Sequence, residues 1–166
     1  MQQAMRVLTS RKTTEWYTPP AIIERARSVL GAIDLDPASS DTAQQWIQAT
    51  TYYTAETLLQ SPWAGRVWLN PPFNDTAAWV ARLNQAYDAG AVTAALLLVN
   101  SAPGYKWWEE LWRQQPVCLL STRVRFCAAS GKPGGQAKKG TTIAYYGTDT
   151  PRFRAYFHDL GRILLP

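Results

Sequence analysis

The residues best suited to chemistry are Asn70-Pro71-Pro72-Phe73, which follow the apolar run Val67-Trp68-Leu69 without a break. Open α/β sheets bind ligands beyond the carboxyl ends of their strands, and such a run would deliver the tetrad to that edge. Asn70 offers Oδ1 and Pro71 its carbonyl. Together these two acceptors can draw the N–H groups of a conjugated amine out of plane and free its lone pair. Two consecutive prolines restrict the backbone and leave carbonyls outside ladder pairing, so the acceptors stay aimed. Phe73 presents a flat face to a planar heterocycle. Taken alone, Asn-Pro-Pro reads equally well as a turn that closes a strand.

The elements that must position this corner follow from periodicity. Pro19-Pro20 opens a helix in which Ile22, Ile23, Ala26, Val29 and Leu30 recur at helical spacing as far as Gly31. Residues 32–36 form a strand-like run stopped by Pro37, and Ser39, Ser40 or Asp41 can cap a helix over 42–47. Strands are expected over 49–54 and 65–69, a helix over 76–87, and an apolar strand over 94–99. Tyr105, Trp107, Trp108, Leu111 and Trp112 give an aromatic face to a helix between Pro103 and Gln115. Further strands are expected at 117–121, 124–126, 142–146 and 163–165, with a short helix over 152–160. Strands alternating with helices define an α/β class with an open, mostly parallel sheet and antiparallel pairing near the C-terminal edge.

Composition narrows the chemistry. A chain of 166 residues, 46% hydrophobic, is large enough for one well-packed core and short for two domains. It has no apolar stretch of about 20 residues and no N-terminal secretory run, which points to a soluble cytoplasmic protein outside the membrane. Cys118 and Cys127 lack metal-ligand spacing and read as buried free thiols, and the single histidine, His158, reads as structural or surface-lying, so no metal is expected. A net charge of +5 favours polyanionic partners, and eight Trp with eight Tyr supply flat surfaces that fill cores or stack bases.

Two segments carry clustered cations. Residues 1–14 read as a flexible basic arm with Arg11 and Lys12, ahead of a single domain over 15–166. Residues 130–140, glycine-rich with Lys132, Lys138 and Lys139 and no apolar anchor, read as a mobile surface loop. Either segment could meet phosphates, and the loop could equally be a plain hairpin connection.

Three segments, in order, carry a resemblance. Asn70-Pro71-Pro72-Phe73 resembles the catalytic tetrad of the amino-group methyltransferases that use S-adenosylmethionine: Asn or Asp, Pro, Pro, then Tyr, Phe or Trp, at the end of the fourth sheet strand. Tyr17-Thr18-Pro19-Pro20 before an apolar helix is similar to the methionine-end segment of N6-adenine methyltransferases. Asp34-Leu35-Asp36-Pro37-Ala38-Ser39 is similar to their first cofactor strand and loop, with Ser39, Ser40 and Asp41 where larger relatives have a glycine-rich turn. From Glu15 onward the chain most resembles the small phage-type, Dam-like DNA N6-adenine methyltransferases of restriction-modification settings. Trp79, Arg123-Val124-Arg125-Phe126 and Tyr145-Tyr146-Gly147 also fit the pattern.

The resemblance implies a minimal Rossmann-like class I methyltransferase acting in a bacterial or phage-infected cell on double-stranded DNA, with no separate target-recognition domain. Residues 37–69 leave no room to insert one. It assigns catalysis to Asn70, Pro71, Pro72 and Phe73, acting on an adenine turned out of the helix. It assigns the cofactor to Tyr17, Thr18, Asp36, Pro37 and Ala38, and the ribose to Glu56 in preference to Gln45. The expected reaction is direct displacement at the exocyclic N6, since no Pro-Cys nucleophile is present. Methylation of RNA or of a protein glutamine, and a non-catalytic nucleic-acid-binding role, are the competing readings. For target selection the arm, the lysine loop and the Trp107/Trp108/Trp112 helix are candidates, although an aromatic helix face more often belongs to a core.

Overall fold

The computed structural model describes residues 16–54 and 61–166. The basic arm with Arg11 and Lys12, and the ribose candidate Glu56, lie outside the described residues.

Helix α1 (Pro20–Leu30) starts with proline in its first turn and ends at Gly31, whose φ of 83° is open to glycine at little cost. Strand β1 (Leu35–Asp36), helix α2 (Gln44–Ile47) and strand β2 (Thr51–Tyr52) follow. Next come β3 (Gly65–Leu69), α3 (Thr76–Asp88), β4 (Val92–Asn100), α4 (Lys106–Gln114) and β5 (Val117–Leu120). The chain then forms β6 (Arg125–Cys127), β7 (Pro133–Gln136), β8 (Thr141–Tyr146), α5 (Thr150–Phe157) and β9 (Gly161–Leu164).

Seven strands form one sheet in the order β2-β1-β3-β4-β8-β5-β9, and β6 pairs with β7 in a separate hairpin. The β2, β1, β3 and β4 neighbours are parallel, whereas β8 is antiparallel to both β4 and β5, and β9 to β5. The open α/β sheet is the one expected from the alternation of elements, parallel through its first four strands, with the antiparallel pairing reaching inward from the C-terminal edge as far as β4.

Period-two alternation along the central strands builds two cores. Trp68, Leu96, Leu98, Ile143 and Tyr145 face one layer with Ile23 of α1 and Phe153 of α5. Val67, Leu69, Leu97, Val99, Ala144 and Tyr146 face the other with Leu83 of α3 and Leu111 of α4. Residues 95–99 of β4 are completely buried, and burial of each leucine or valine there contributes about 2 kcal/mol. The sheet is thus a rigid platform covered on both faces, and the corner that follows β3 inherits that rigidity.

A clamp at the opposite end of β3 sets its height against β1. Arg66 donates from Nε and Nη2 to the two oxygens of Asp34, both at 2.8 Å, and this holds the Asp34 carboxyl below its usual range. Gly65, at φ 75°, leaves the room: a Cβ there would stand 2.8 Å from Asp34 Oδ2.

Several expectations are corrected. Residues 130–140 are not an unanchored loop. Pro133–Gln136 is a strand paired with β6, Ala137 is buried, and the Trp16 indole lies on Gly134 and Gly135. The aromatic helix begins at Lys106 and not at Pro103, because Gly104 takes φ 87° and Tyr105 is extended. Trp108 is buried and Trp107 and Trp112 pack on the same core, so that face serves packing. Cys118 is buried, with its thiol pushed up to about 11 by desolvation, but Cys127 is only half-buried. His158 is surface-lying, as expected, with Nδ1 3.0 Å from the Arg154 carbonyl at the end of its own helix.

Candidate active site

The chain runs from β1 through α2 to β2 on one side, then crosses back so that β3 lies on the other side of β1. The carboxyl ends of β1 and β3 therefore flank the point where strand order reverses, the place where open α/β sheets leave a crevice for a ligand. Asp36 ends β1, and Asn70 is the first residue after β3.

At the Asn70 corner, Pro71 is buried, Pro72 is exposed, and Asn70 itself is half-buried. Asn70 Nδ2 donates to Thr18 Oγ1 at 3.0 Å. Thr18 is only 3% exposed, and its carbonyl accepts from Trp46 Nε1 at 3.1 Å. The donor end of the Asn70 amide is thus spent on a fixed hydroxyl, and Oδ1 accepts nothing from the described residues. That bond holds the amide in one orientation and leaves its oxygen available as an acceptor. Phe73 is 48% exposed and leans on the buried Phe126 of β6, ring centroids 6.5 Å apart at 60°. The plate is braced by that ring, and about half of the residue is open to solvent.

Thr18→Val keeps the shape and removes the acceptor for Asn70 Nδ2. Turnover should fall about tenfold, in line with the loss of one orienting hydrogen bond, while the melting temperature moves little. Steady-state kinetics beside thermal unfolding checks this, and an unchanged kcat would show that Thr18 does not orient Asn70.

At the Asp36 corner the carboxylate is 2% exposed and takes part in a local network. Oδ1 accepts from the Ala38 N–H at 3.3 Å and Oδ2 from Gln44 Nε2 at 3.0 Å, while Gln44 also donates to Ser39 Oγ at 2.7 Å and accepts from the Ala49 N–H at 2.8 Å. Asp36 shapes the loop that replaces a glycine-rich turn, and Ser40 Oγ accepts from the Ala43 N–H at its far end. Desolvation outweighs these hydrogen bonds and pushes Asp36 up to about 6, with no cation among the described residues to offset it. Pro37 is buried and Ala38 half-buried beside it.

Tyr17 joins the two halves of the site. Its backbone exchanges hydrogen bonds with Cys127 of β6 at 2.9 and 2.8 Å, and its ring meets Trp46 edge-on at 5.4 Å. Thr18, Asn70, Asp36 and the Tyr17 backbone are therefore brought to one end of the sheet. Lys132, Lys138 and Lys139 are exposed on and beside the β6–β7 hairpin.

Sequence reasoning passed over Gln44 and Trp46, which hold Asp36 and Thr18, because neither belongs to a motif. It also assigned no role to Trp16, Arg123 or Arg125. A signal for the arginines was present: between Glu110 and Asp149 there is not one Asp or Glu, while six Lys and Arg fall in that interval. Among the described residues no group of three or more His, Cys, Asp or Glu is placed to hold a metal, and no helix is long and apolar enough to cross a membrane.

An open α/β sheet with an acceptor-bearing corner at its switch point defines the Rossmann-like class of ligand-binding domains. Residues 7–152 match the family model described as DNA N-6-adenine-methyltransferase (Dam), and the chain belongs to that family. Comparison with curated proteins gives no match.

Proposed function

We propose that this protein transfers a methyl group to the exocyclic N6 of adenine in double-stranded DNA by direct displacement on a base turned out of the helix. The observation that carries this reading is the Asn70 amide, whose Nδ2 is bound to Thr18 so that Oδ1 stays available beside the half-exposed Phe73. Adenine's amino lone pair is delocalised into the ring. Asn70 Oδ1 and the Pro71 carbonyl accept its two N–H bonds and favour the pyramidal nitrogen of the transition state over the planar ground state. Phe73 stacks the extruded base, which offsets part of the cost of unstacking.

Family membership implies S-adenosylmethionine as the methyl donor. The residues present fit it: Asp36 is a buried carboxylate with no cation beside it among the described residues, at the end of β1, and Thr18 and the loop hydroxyls add polar groups at the same edge. In this reading Tyr17, Thr18, Asp36, Pro37 and Ala38 hold the methionine end, and Glu56 the ribose. When bound, the cofactor supplies an electrophilic methyl on a cationic sulfur.

A pH dependence follows. With Asp36 raised from its ordinary value to about 6, the folded protein holds this proton more tightly than the unfolded chain does. The group's contribution to stability is therefore present below about pH 4 and is lost as pH rises through 6. A cationic ligand prefers the carboxylate, so affinity should change in the opposite direction, weakening up to about tenfold per pH unit below 6 and levelling off above it. Calorimetric titration of S-adenosylmethionine from pH 5 to 8 reads this, and a flat profile would show that Asp36 does not face the ligand's charge. For the reaction itself, methyl-labelled cofactor incubated with the protein and unmethylated duplex should place label in the DNA. Label confined to the free cofactor would contradict the proposal.

A further inference from the structure

Trp16 is 45% exposed, an unusual position for an indole in a chain that buries most of its tryptophan surface. Its placement is specific. The ring lies across Gly134 and Gly135 of β7: any side chain at Gly134 would collide with it, and a Cβ at Gly135 would stand 3.2 Å from Cζ2. A strand of Pro-Gly-Gly-Gln has poor intrinsic propensity, and its two glycines, without side chains, form a seat for the ring. The indole is thus backed by the glycine strand, and nearly half of the residue remains open to solvent.

That seat is tied to the Asn70 corner. Tyr17, the next residue, is bridged to Cys127, and the Phe126 ring supports Phe73 while the Phe126 carbonyl borders Gly134. Two half-exposed aromatic plates, Trp16 and Phe73, are anchored on the same short piece of β6. The surroundings are cationic: Arg123, Arg125, Lys132, Lys138 and Lys139 are exposed and form no ion pair among the described residues. Arg123 and Arg125 also line an open cleft of about 540 Å³ with Gln136 and an apolar floor that includes Ile22 and Leu120.

We propose that Trp16 on its glycine seat is a stacking platform for a nucleobase of the bound DNA other than the one presented to Phe73, and that the β6–β7 hairpin around it grips the phosphates. This rests on the function proposed above. Flat aromatic faces take bases with little regard to sequence, and unpaired arginines and lysines beside them supply the salt-dependent part of the affinity. A purely structural Trp16 would only fasten residues 16–18 to the hairpin.

The two roles separate in a three-variant test on full-length protein, with a short unmethylated duplex as probe. Trp16→Leu still covers the glycines but offers no aromatic face. It should weaken duplex binding about tenfold while the salt slope, the melting temperature and S-adenosylmethionine affinity stay unchanged. Trp16→Phe should recover most of the loss. Arg123→Gln/Arg125→Gln should lower the slope of log affinity against log salt by about 2. If Trp16→Leu binds like wild type, or Leu and Phe fail alike with a lowered melting temperature, the platform is refuted although adenine methylation by the wild type stands. If the wild type neither binds nor methylates the duplex, both this inference and the functional reading fall.

Discussion

Replacing Asn70 with alanine is expected to lower kcat by about 100- to 1,000-fold, the scale of losing one preorganised electrostatic group, while S-adenosylmethionine binding stays within about twofold. The asymmetry follows from where the side chain is spent. Nδ2 is engaged by Thr18 and Oδ1 is left for a substrate, so alanine removes an acceptor that matters as the amino nitrogen pyramidalises. It also leaves Thr18 Oγ1, in a residue 3% exposed, without that donor, which adds a modest stability loss of about 1 kcal/mol. Asn70→Asp keeps the acceptor and lets the Thr18 hydroxyl reverse its role from acceptor to donor, so it should retain far more activity than alanine. Single-turnover rates on duplex DNA, beside calorimetric cofactor titration, make the comparison. An alanine variant with wild-type turnover would remove Asn70 from the chemistry.

Phe73→Ala should raise the DNA concentration needed for half-maximal rate, or lower the turnover, by a combined factor of about 10 to 100, the range that one base–aromatic stack supports. Because Phe73 is half-exposed, with its ring resting on Phe126, its loss should leave the melting temperature nearly unchanged. Phe73→Tyr keeps the plate and should behave like wild type. A methylation rate unaffected by alanine would mean that no base rests on this ring. Equal damage from alanine and tyrosine would point to packing against Phe126.

The Asn70 corner was legible because it is written locally. Val67-Trp68-Leu69 alternates between the two cores, and Asn70 follows directly where the strand ends. The pairing of Pro19-Pro20 with Gly31 marked both ends of α1 for the same reason. The hairpin was not legible. Pro133–Gln136 contains no strand-forming residue, and what holds it is the indole of Trp16, more than a hundred residues earlier, a contact that leaves no local trace. The strand expected over 32–36 shrinks to Leu35–Asp36 as a ladder, although Ile33 and Asp34 still bond to Thr50, Thr51 and Arg66.

The Asp36 loop lies between these cases. Its aspartate and serines were visible as a motif, but the amide that organises them, Gln44, is an ordinary helix residue whose three hydrogen bonds exist only once the loop has closed. Thr18 was assigned to the cofactor from its motif. Its bond to Asn70 spans 52 residues of sequence and could be found only in three dimensions.

The most direct measurement is nucleoside mass spectrometry of unmethylated duplex DNA after incubation with the purified protein and methyl-labelled S-adenosylmethionine, run beside the Asn70→Ala variant. The account predicts labelled N6-methyladenine with the wild type and at most a trace with the variant. Label on cytosine N4 with adenine untouched, or equal N6-methyladenine from both proteins, would contradict it.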